Sequence, residues 1–424
     1  MSTEQSNLQI KELMNMNPDE FTITEELNKD KKEKIIEMLD ALCLLDETEV
    51  RKTVESLTVR DTIELLEIIG IEDGTTGKFI VVEESRNGES FVRRSVLKKE
   101  GEARYIVNIS SKKSGGMGSV VSGFDLKVAR SIAIKLISSK LLENDLKQEQ
   151  LIKEARVHAN SQHPNILRVY DFIFFEDLIK GNERLSGGGI VLEHMDPTKS
   201  PTIDAILQSN DFNGAELDGR AVFPPVEMQR FIEDMIDAIQ YIGERRRKLV
   251  KDNDTGKVVL VEQPTSHYDI KPGNIFRTPE GKYILADFGL SPEVIPDEIS
   301  FGTPNYISPE KAIGTGELVV SDLFSLTLNI YKMVTSEALP EGDTSVNIVL
   351  DILTGEARNR VLIDPEDPDS NPKVKALKKY CEKFNLNFNK VQSFFGKALH
   401  KSQDKRFQSI NEYRNAALEA FNKE

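Results

Sequence analysis

Residues 266–275, Ser-His-Tyr-Asp-Ile-Lys-Pro-Gly-Asn-Ile, bring a carboxylate, an ammonium group and a carboxamide together on one short stretch. The proline and the glycine within it would interrupt a helix, so the stretch is predicted to be a loop. Asp269, Lys271 and Asn274 supply three different polar chemistries on that loop, and Tyr268 directly precedes the acid. The rest of the chain has to show which reaction needs this combination.

The composition is that of a globular protein with two or three domains or lobes. The chain has 424 residues, of which 39% are hydrophobic and 29% are charged. The formal net charge is −15, and residues 1–73 hold 19 acidic against 8 basic side chains. This excess of negative charge repels phosphate backbones, so a nucleic acid is not expected as a partner.

The two cysteines, Cys43 and Cys381, are far apart and cannot form a disulfide framework. A reducing compartment, the cytoplasm, is therefore predicted, while secretion as an effector is left open. The first residues contain no basic segment followed by an apolar one, so no signal peptide is expected. No apolar run is long enough to predict a membrane span.

The first hundred residues divide into three predicted segments. Residues 1–23 are predicted to be a flexible leader, and helical spacing of apolar residues predicts a small helical module over 24–75. Asn87-Gly88 lies between two runs rich in β-formers, which predicts a β-hairpin and linker over 76–100.

Strands precede helices in the remaining chain, which predicts an α+β fold with a β-rich lobe (101–195) and an α-rich lobe (196–424). Three strands are predicted, at Tyr-Ile-Val-Asn-Ile-Ser, Gly-Ser-Val-Val-Ser-Gly-Phe and Ser-Ile-Ala-Ile-Lys-Leu-Ile. A helix over about 145–160 is predicted to follow them, and a buried strand at Gly-Gly-Ile-Val-Leu-Glu is predicted after the helix. A helix over 226–244 places six apolar side chains on one face.

Three further motifs accompany the opening loop. Asp287 ends an apolar strand, Leu-Ala-Asp-Phe-Gly, eighteen residues after Asp269. A glycine-rich turn, Ser-Gly-Gly-Met-Gly-Ser over 114–119, lies between two strands, and Lys135 ends the next one. Glycines let backbone amides approach an anionic ligand closely. A glycine-rich turn alone is usually only a hairpin, but the order and spacing of the whole set are specific.

On these residues the chain resembles the eukaryotic-type protein kinase family, and its Gly-Gly-Met-Gly turn is similar to that of bacterial serine/threonine kinases. The resemblance covers about residues 103–422 and implies a bilobal protein-kinase-like fold. The helical module and the β-hairpin predicted over residues 24–100 would be an N-terminal extension of that fold. Lysine at 271, two residues after the acid, is the pattern of serine/threonine rather than tyrosine kinases.

The resemblance implies ATP and Mg²⁺ as cofactors and a protein with a Ser or Thr acceptor as substrate. Asp269 would orient the acceptor hydroxyl, Lys271 would neutralise the γ-phosphate, and Lys135 would bind the α- and β-phosphates, held by Glu154 (with Glu149 as a less favoured rival). The implied nucleotide-binding residues are Gly115, Gly116, Gly118, Val120, Ala133, Lys135, Glu193 and Met195, with Leu192 as gatekeeper, and the implied metal ligands are Asn274 and Asp287.

Other matching residues have structural roles in the family. The segment Gly-Thr-Pro-Asn-Tyr-Ile-Ser-Pro-Glu (302–310) would close the substrate groove, and Glu310 would form a buried ion pair with Arg406. Asp322 would cap the backbone of the catalytic loop. His267 is expected to pack beneath Phe288 rather than react.

Tyr268 stands where most family members have an arginine that grips a phosphate on the activation loop. Tyrosine cannot form that charge-assisted pair. The sequence therefore suggests the hypothesis that activity does not need phosphorylation of the activation loop, whose aliphatic hydroxyls are Ser291, Ser300 and Thr303.

One alternative function and the site of a regulatory partner remain open. Lys113 in place of the first loop glycine and His158 in place of an aliphatic residue keep a pseudokinase, or an ATP-binding scaffold, as the rival function. Small-molecule phosphotransferases lack the 302–310 segment and are not favoured. A regulatory partner could bind residues 1–100 or a hairpin inserted over 248–265, while Arg245–Lys248 is expected to be a solvated helix end.

Overall fold

The computed structural model of the protein describes residues 79–84, 90–93, 102–115, 118–125, 128–137, 163–174, 179–180, 183–184, 188–209, 215–244, 246–251, 258–263, 266–267, 269–287, 304–313, 318–362 and 371–423. The chain divides into two compact units. Unit 1 comprises Met1–Ala159 and Arg168–His194, and unit 2 comprises Asn160–Leu167 and Met195–Glu424. The predicted leader (1–23), the helical module (24–75) and the helix over 145–160 lie outside the described residues.

Unit 1 is built on a seven-stranded antiparallel sheet with the strand order β2-β1-β3-β4-β5-β9-β6. Its strands are β1 (Phe79–Glu84), β2 (Ser90–Arg93), β3 (Glu102–Gly115), β4 (Gly118–Asp125), β5 (Arg130–Ile137), β6 (Val169–Phe174) and β9 (Gly188–Glu193). A separate two-stranded ribbon consists of β7 (Ile179–Lys180) and β8 (Glu183–Arg184).

The hairpin predicted from Asn87-Gly88 is confirmed, because β1 and β2 pair antiparallel with Val82 opposite Val92. The hairpin does not stand apart from the sheet. β1 also pairs with β3, with Val82 opposite Tyr105, so the hairpin extends the main sheet by two strands. This arrangement satisfies backbone groups that a lone hairpin would leave to solvent.

The two faces of the sheet differ at β5. Ile132, Ile134 and Leu136 are buried, whereas Ala133 and Lys135 between them are half-buried. Side chains alternate between the faces of a strand, so one face forms the core of unit 1 and the other carries Lys135.

Unit 2 is mainly helical. Its helices are α1 (Ile203–Ser209), α2 (Pro225–Glu244), α3 (Pro309–Ala312), α4 (Leu318–Thr335), α5 (Ser345–Thr354), α6 (Glu356–Asn359), α7 (Pro372–Phe384), α8 (Phe388–Ala398) and α9 (Ile410–Ala420). Three short ribbons accompany them: β10 (Glu216–Leu217) with β11 (Arg220–Ala221), β12 (Arg246–Lys251) with β13 (Val258–Gln263), and β14 (Ile275–Arg277) with β15 (Tyr283–Leu285).

Helix α2 confirms the amphipathic helix predicted over 226–244. The six apolar side chains placed on one face by the sequence are all buried, namely Met228, Phe231, Ile232, Met235, Ile239 and Ile242. Helix α2 packs against α4, α9 and β15, and the Phe231 ring meets the edge of the Tyr283 ring with 5.2 Å between centroids. Burial of this face is the main contribution of α2 to the core.

Residues 160–167 belong to unit 2, although the sequence groups them with the strand-rich lobe. The Asn165 side-chain amide donates to the Tyr283 carbonyl at 3.0 Å. The Leu167 N–H donates to the Leu285 carbonyl, and the Leu285 N–H donates to the Asn165 carbonyl, each at 2.9 Å. These contacts tie the segment to β15. The predicted lobe boundaries themselves stay predictions.

The inserted hairpin predicted over 248–265 is confirmed, since β12 and β13 pair over six residues with Leu249 opposite Leu260. The expectation that Arg245–Lys248 forms the end of a helix is wrong. Helix α2 ends at Glu244, and Arg246–Lys248 already lie in β12. A complete ladder with β13 satisfies these backbone groups better than a frayed helix end would.

The C-terminal helices begin at polar caps. Thr344, Asn371, Asn387 and Ser409 each accept a hydrogen bond from an amide in the first turn of α5, α7, α8 and α9, respectively. Within the described part of the chain, no helix is long and apolar enough to cross a membrane.

Replacement of Phe231 by Ala should destabilise unit 2 by about 3–5 kcal/mol, because the substitution leaves a cavity in a close-packed core. Phe231 is 0% exposed, whereas Val226 on the same helix is 56% exposed. Val226→Ala is therefore the matched control and should change stability by less than about 0.5 kcal/mol. Urea unfolding followed by circular dichroism measures both; equal losses would contradict this assignment of the core.

Candidate active site

The opening stretch of sequence folds as the predicted loop, followed by a 3-10 turn at Pro272–Asn274. Pro272 occupies the first position of the turn, where its missing N–H has no partner to lose. The backbone N–H of Asn274 donates to the Lys271 carbonyl at 2.9 Å and closes the turn. The chain then enters β14, so the turn sets the direction in which the Asn274 side chain leaves the backbone.

The Asp269 carboxylate has two charged or polar partners on its own loop. Its Oδ2 accepts from Lys271 Nζ at 2.7 Å and from Asn274 Nδ2 at 3.0 Å, and Asn274 Nδ2 also donates to the Asp269 carbonyl at 2.9 Å. Asp269 is 7% exposed, so these bonds compensate for the loss of hydration. Oδ1 makes no hydrogen bond within the described residues, which leaves it to face a ligand.

Asn274 and Asp287 lie at the same end of the β14–β15 ribbon. Ile275 is opposite Leu285, and the Ala286 amide donates to the Asn274 carbonyl at 2.8 Å. The two predicted metal ligands, 13 positions apart in sequence, are thereby brought together.

The chemistry of this pair fits Mg²⁺. Asn274 Nδ2 is occupied by Asp269, so the Asn274 amide oxygen is the atom that remains for a cation. Asp287 has a φ of 59°, a left-handed conformation that costs energy for a residue other than glycine and is typical of functional sites. The described residues contain no cluster of three or more His, Cys, Asp or Glu, so a cation here would depend on this pair and on ligand oxygens.

Asp322, near the start of α4, confirms the predicted cap of the loop. Its Oδ1 accepts from Ser266 Oγ at 2.6 Å and its Oδ2 from the His267 amide at 2.7 Å. His267 is buried, and its Nε2 lies 3.0 Å from the Ala286 carbonyl. The imidazole therefore links the loop to the residue before Asp287. Phe288, its predicted packing partner, lies outside the described residues.

Unit 1 places the predicted nucleotide-binding residues around β3, β4 and β5. Gly115 and Gly118 face each other at the turn between β3 and β4, and Val120 is opposite Lys135. Directly opposite residues of an antiparallel pair share a face, so Val120, Ala133 and Lys135 lie on the half-exposed face of the sheet. Gly116, Glu154 and Glu149 lie outside the described residues, and their roles stay predictions.

The predicted adenine-binding strand is β9. Leu192, the predicted gatekeeper, is opposite Ala133 of β5. The Glu193 amide already donates to the Arg168 carbonyl at 2.9 Å, so Glu193 cannot also use this N–H to bind adenine. Met195 follows β9 in unit 2 and is half-buried.

The buried ion pair predicted between Glu310 and Arg406 is confirmed. Arg406 Nη1 and Nη2 donate to the two Glu310 oxygens at 2.9 and 2.8 Å, and Ser321 Oγ donates to Oε1 at 2.5 Å. Burial alone would raise the pKa of Glu310, but the hydrogen bonds and charge of Arg406 outweigh it and lower the pKa. The bidentate geometry fixes Glu310 to the C-terminal part of unit 2.

Sequence reasoning did not identify three further polar residues near the loop. Asn329 Nδ2 donates to the Ile270 carbonyl at 3.1 Å, and Ser325 Oγ donates to the Tyr306 carbonyl at 2.7 Å. The Lys311 ammonium is close to Asp322, Asp269 and Lys271; burial lowers its pKa, and the two carboxylates oppose that shift. For Ser325 and Asn329 the signal in the sequence was polar residues at helical spacing from Asp322 in an apolar helix; Lys311 lies in α3 and gave no such signal.

The Tyr268 side chain and residues 288–303, which include Ser291, Ser300 and Thr303, lie outside the described residues. The hypothesis on activation is therefore not addressed by the structure.

Comparison with known proteins yields one family and several relatives. The protein kinase domain family matches residues 113–417. A probable serine/threonine-protein kinase of Streptomyces coelicolor is 27% identical over 307 residues, which cover 71% of this chain and 37% of the relative. The serine/threonine-protein kinase PknA of Mycobacterium tuberculosis is 26% identical over 271 residues, or 62% of this chain and 53% of the relative.

The chain thus spans about half or less of the length of these curated relatives. Among solved structures, a crystal structure of Rad53 1–466 in complex with AMP-PNP aligns with a TM-score of 0.49 and 17% identity, covering 74% of this chain and 64% of that one.

Arg406→Met should destabilise unit 2 by about 3–5 kcal/mol, because it leaves the Glu310 carboxylate buried without its partner. The double variant Arg406→Met, Glu310→Gln should recover part of this loss, since no buried charge remains. Lys405→Met, at the exposed neighbouring position, is the control. Urea unfolding of the unmodified protein, the single variants Arg406→Met and Glu310→Gln, the double variant and the control tests the pair; a double variant that loses as much stability as the two single variants added together would contradict the coupling.

Proposed function

This chain belongs to the protein kinase domain family, and from that membership we propose that it is a serine/threonine protein kinase. It would transfer the γ-phosphoryl group of ATP to hydroxyls of protein substrates. The α+β protein-kinase fold expected from the sequence is confirmed by the family match. The observation that carries the proposed activity is the arrangement of Lys271 and Asn274 on one oxygen of Asp269, with Asp287 at the adjoining ribbon end.

Asp269 would orient the acceptor. Because Lys271 and Asn274 bind Oδ2, Oδ1 is the oxygen that can accept the hydrogen bond of a serine or threonine hydroxyl. As the acceptor oxygen forms its bond to the γ-phosphorus, the bond from that phosphorus to the β,γ-bridging oxygen breaks and ADP leaves. The hydroxyl proton passes to Asp269. Alignment and charge compensation provide most of the acceleration in such transfers.

The Lys271 ammonium lies beside the proposed acceptor site at Asp269, where a positive charge would stabilise the transferring phosphoryl group. Its ammonium lies 2.7 Å from Asp269 and its side chain is 23% exposed, so it is fixed by the acid and open to a ligand. A positive charge beside the acceptor oxygen would favour the phosphoryl group as it transfers. Lysine at this position is the pattern that the resemblance assigns to serine/threonine kinases, and the names of the relatives also describe serine/threonine kinases.

Asn274 and Asp287 would hold Mg²⁺ through one amide oxygen and a carboxylate. When bound, the cation neutralises charge on the phosphate oxygens. The left-handed backbone at Asp287 would hold its carboxylate in position before a ligand arrives, as preorganisation of such a site requires.

Residues of unit 1 would bind the remainder of ATP. Val120 is 39% exposed and Ala133 is half-buried on the face that carries Lys135, which provides an apolar surface for adenine beside a cation for the α- and β-phosphates. The small residues Gly115 and Gly118 would let backbone amides approach the phosphates.

The compartment and partners are proposed from chemistry. Cys381 is a buried free thiol whose pKa burial raises to about 12, consistent with a reducing compartment such as the cytoplasm. Residues 1–100 and the β12–β13 hairpin are the proposed contact regions for a regulatory partner.

Asp269→Asn should lower phosphoryl transfer at least about 100-fold, since the proton acceptor is lost, while ATP should still raise the melting temperature. Asp287→Asn should abolish the part of that thermal shift that depends on Mg²⁺. Asp343→Asn, an exposed carboxylate elsewhere in unit 2, is the control for both. Transfer is followed with radiolabelled ATP, using casein and myelin basic protein as acceptors.

Two outcomes of this experiment decide between functions. Transfer by the unmodified protein that Asp269→Asn abolishes supports the kinase. An ATP-dependent thermal shift in the unmodified protein, with no transfer to either acceptor or to itself, would instead favour the pseudokinase that Lys113 and His158 keep open.

The proposal that activity is independent of activation-loop phosphorylation rests on Tyr268. The double variant Ser291→Ala, Ser300→Ala should keep turnover within about threefold of the unmodified protein, as should phosphatase treatment, because no arginine at 268 needs a phosphate partner. A loss of tenfold or more, about 1.4 kcal/mol of transition-state stabilisation, would refute independence while leaving the kinase activity itself established.

A further inference from the structure

One residue of α4, Asn329, is polar and fully buried, although the residues on either side of it are apolar. Asn329 is 0% exposed, and Leu328 and Ile330 are buried with it. Asparagine is a poor helix former, and its carboxamide loses hydration when it is buried. A residue of this kind lowers stability unless its side chain gains partners. Neither the sequence motifs nor the proposed reaction assigns Asn329 a role.

The Asn329 carboxamide joins α4 to the catalytic loop. Its Nδ2 donates to the Ile270 carbonyl at 3.1 Å and to the Ser325 carbonyl at 2.7 Å. Both partners are acceptors, so only the amide nitrogen can face them. The other atom of the carboxamide, Oδ1, is buried and makes no hydrogen bond within the part of the chain that the structure describes.

The Ile270 carbonyl is the point at which the loop is bound from outside. The carbonyls before and after it, those of Asp269 and Lys271, accept from the side chain and from the backbone N–H of Asn274, each at 2.9 Å. The Ile270 carbonyl between them accepts from Asn329 on α4. Asn329 therefore holds the peptide group between Ile270 and Lys271, which lies between the two side chains of the 2.7 Å ion pair.

The unpaired oxygen shows that Asn329 is not optimal for stability. A buried acceptor without a donor destabilises the folded state, and replacing it by an apolar group removes that penalty. Leucine has the same branched shape as asparagine and would leave no polar atom at this position. Local choices that reduce stability without an evident structural gain are typical of functional sites.

Thr327, two residues earlier on the same helix, provides the contrast. It is also 0% exposed, and its Oγ1 donates to the Leu323 carbonyl at 2.7 Å and lies 2.8 Å from the Tyr413 hydroxyl of α9. Its bonds join two packed helices. The bond from Asn329 instead reaches a loop that belongs to no helix and no strand.

We propose that Asn329 is a positioning residue for phosphoryl transfer, which fixes the Ile270–Lys271 peptide group so that the Asp269 carboxylate and the Lys271 ammonium keep their relative geometry. This inference rests on the proposed kinase function and deepens it. Asn329 does not touch the nucleotide or the acceptor in this role. Its loss should therefore lower kcat, while binding of ATP and overall stability change little.

The test is a kinetic comparison of Asn329→Leu with the unmodified full chain, with casein and myelin basic protein as acceptors. Leucine cannot donate to the Ile270 carbonyl, so kcat should fall about tenfold, with KM for ATP and for the acceptor within about threefold. The melting temperature should stay within about 2 °C, because the lost hydrogen bond and the removal of the unpaired oxygen have opposite effects on stability.

Asn329→Thr is a second variant that does not require leucine to fit the core. Threonine hydroxyls in α4 bond the carbonyl four residues earlier, as Thr327 does with Leu323 and Thr335 with Tyr331, at 2.7 and 2.8 Å. A threonine at position 329 would satisfy its hydroxyl in the same way and would not reach Ile270. Its kcat should therefore fall as in Asn329→Leu.

Thr327→Val is the matched control, because it removes a buried polar group from the same helix without touching the loop. It should lower the melting temperature by about 2–4 °C and keep kcat within about twofold. Hydrogen exchange adds a readout that does not depend on turnover. The amides of Ile270 and Lys271 should exchange faster in Asn329→Leu and at an unchanged rate in Thr327→Val.

The outcomes separate the two claims. If the unmodified protein phosphorylates an acceptor but both Asn329 variants keep kcat within about threefold, the positioning role is overturned and the kinase function stands. The same holds if KM for ATP rises as much as kcat falls, or if Thr327→Val lowers kcat equally. If the unmodified protein transfers phosphate to no acceptor, the kinase function fails, and the positioning role of Asn329 fails with it.

Discussion

The buried carboxylate of Asp322 holds the catalytic loop in place, and the other groups of the site depend on that loop. The described residues of this loop, Ser266, His267 and Asp269–Lys271, belong to no helix and no strand, so their polar groups need partners from elsewhere. Asp322 is the partner of the Ser266 hydroxyl and of the His267 backbone amide. An unsatisfied buried donor costs about 1–3 kcal/mol. These two hydrogen bonds therefore hold the start of the loop against α4, and Asp269 follows two residues after His267.

Other polar side chains on the same face of α4 also bind neighbouring segments of the chain. Asp322, Ser325, Asn329 and Lys332 follow one another at intervals of three, four and three residues, which aligns them on a single face of α4. Each binds a different stretch of chain: the start of the loop, the Tyr306 carbonyl, the Ile270 carbonyl and Asp204. The remainder of α4 is largely buried and apolar. Polar side chains inside such a helix are tolerated because hydrogen-bond partners satisfy them, and these partners lie in the loop before β14, in the turn at Pro304–Tyr306 and in α1.

Two ion pairs of unit 2 show how separation in sequence relates to role. Lys271 and Asp269 are two residues apart; the Lys271 side chain is 23% exposed, and Oδ1 of Asp269 makes no hydrogen bond within the described residues. Glu310 and Arg406 are 96 residues apart, and their side chains are almost completely buried. The local pair can respond to a ligand at little structural cost. The Glu310–Arg406 pair holds the start of α3 against the C-terminal part of unit 2. Its contribution to stability is seen mainly when one partner is removed, because the other charge is then buried without a partner.

Local periodicity in the sequence was sufficient to predict the α+β fold, both hairpins and helix α2. The order and spacing of the motifs were sufficient to predict the family, the Glu310–Arg406 pair and the cap made by Asp322, because the family requires that spacing. The path of residues 160–167 and the strand at Arg246–Lys248 could not be predicted, since backbone ladders with distant segments outweighed the local pattern there. Three features were decided only by tertiary structure: which oxygen of Asp269 is bound by Lys271 and Asn274, the left-handed backbone of Asp287, and the ion pair of Lys332 with Asp204. A sequence states which donors and acceptors exist, but their pairing is determined only when burial removes water as the alternative partner.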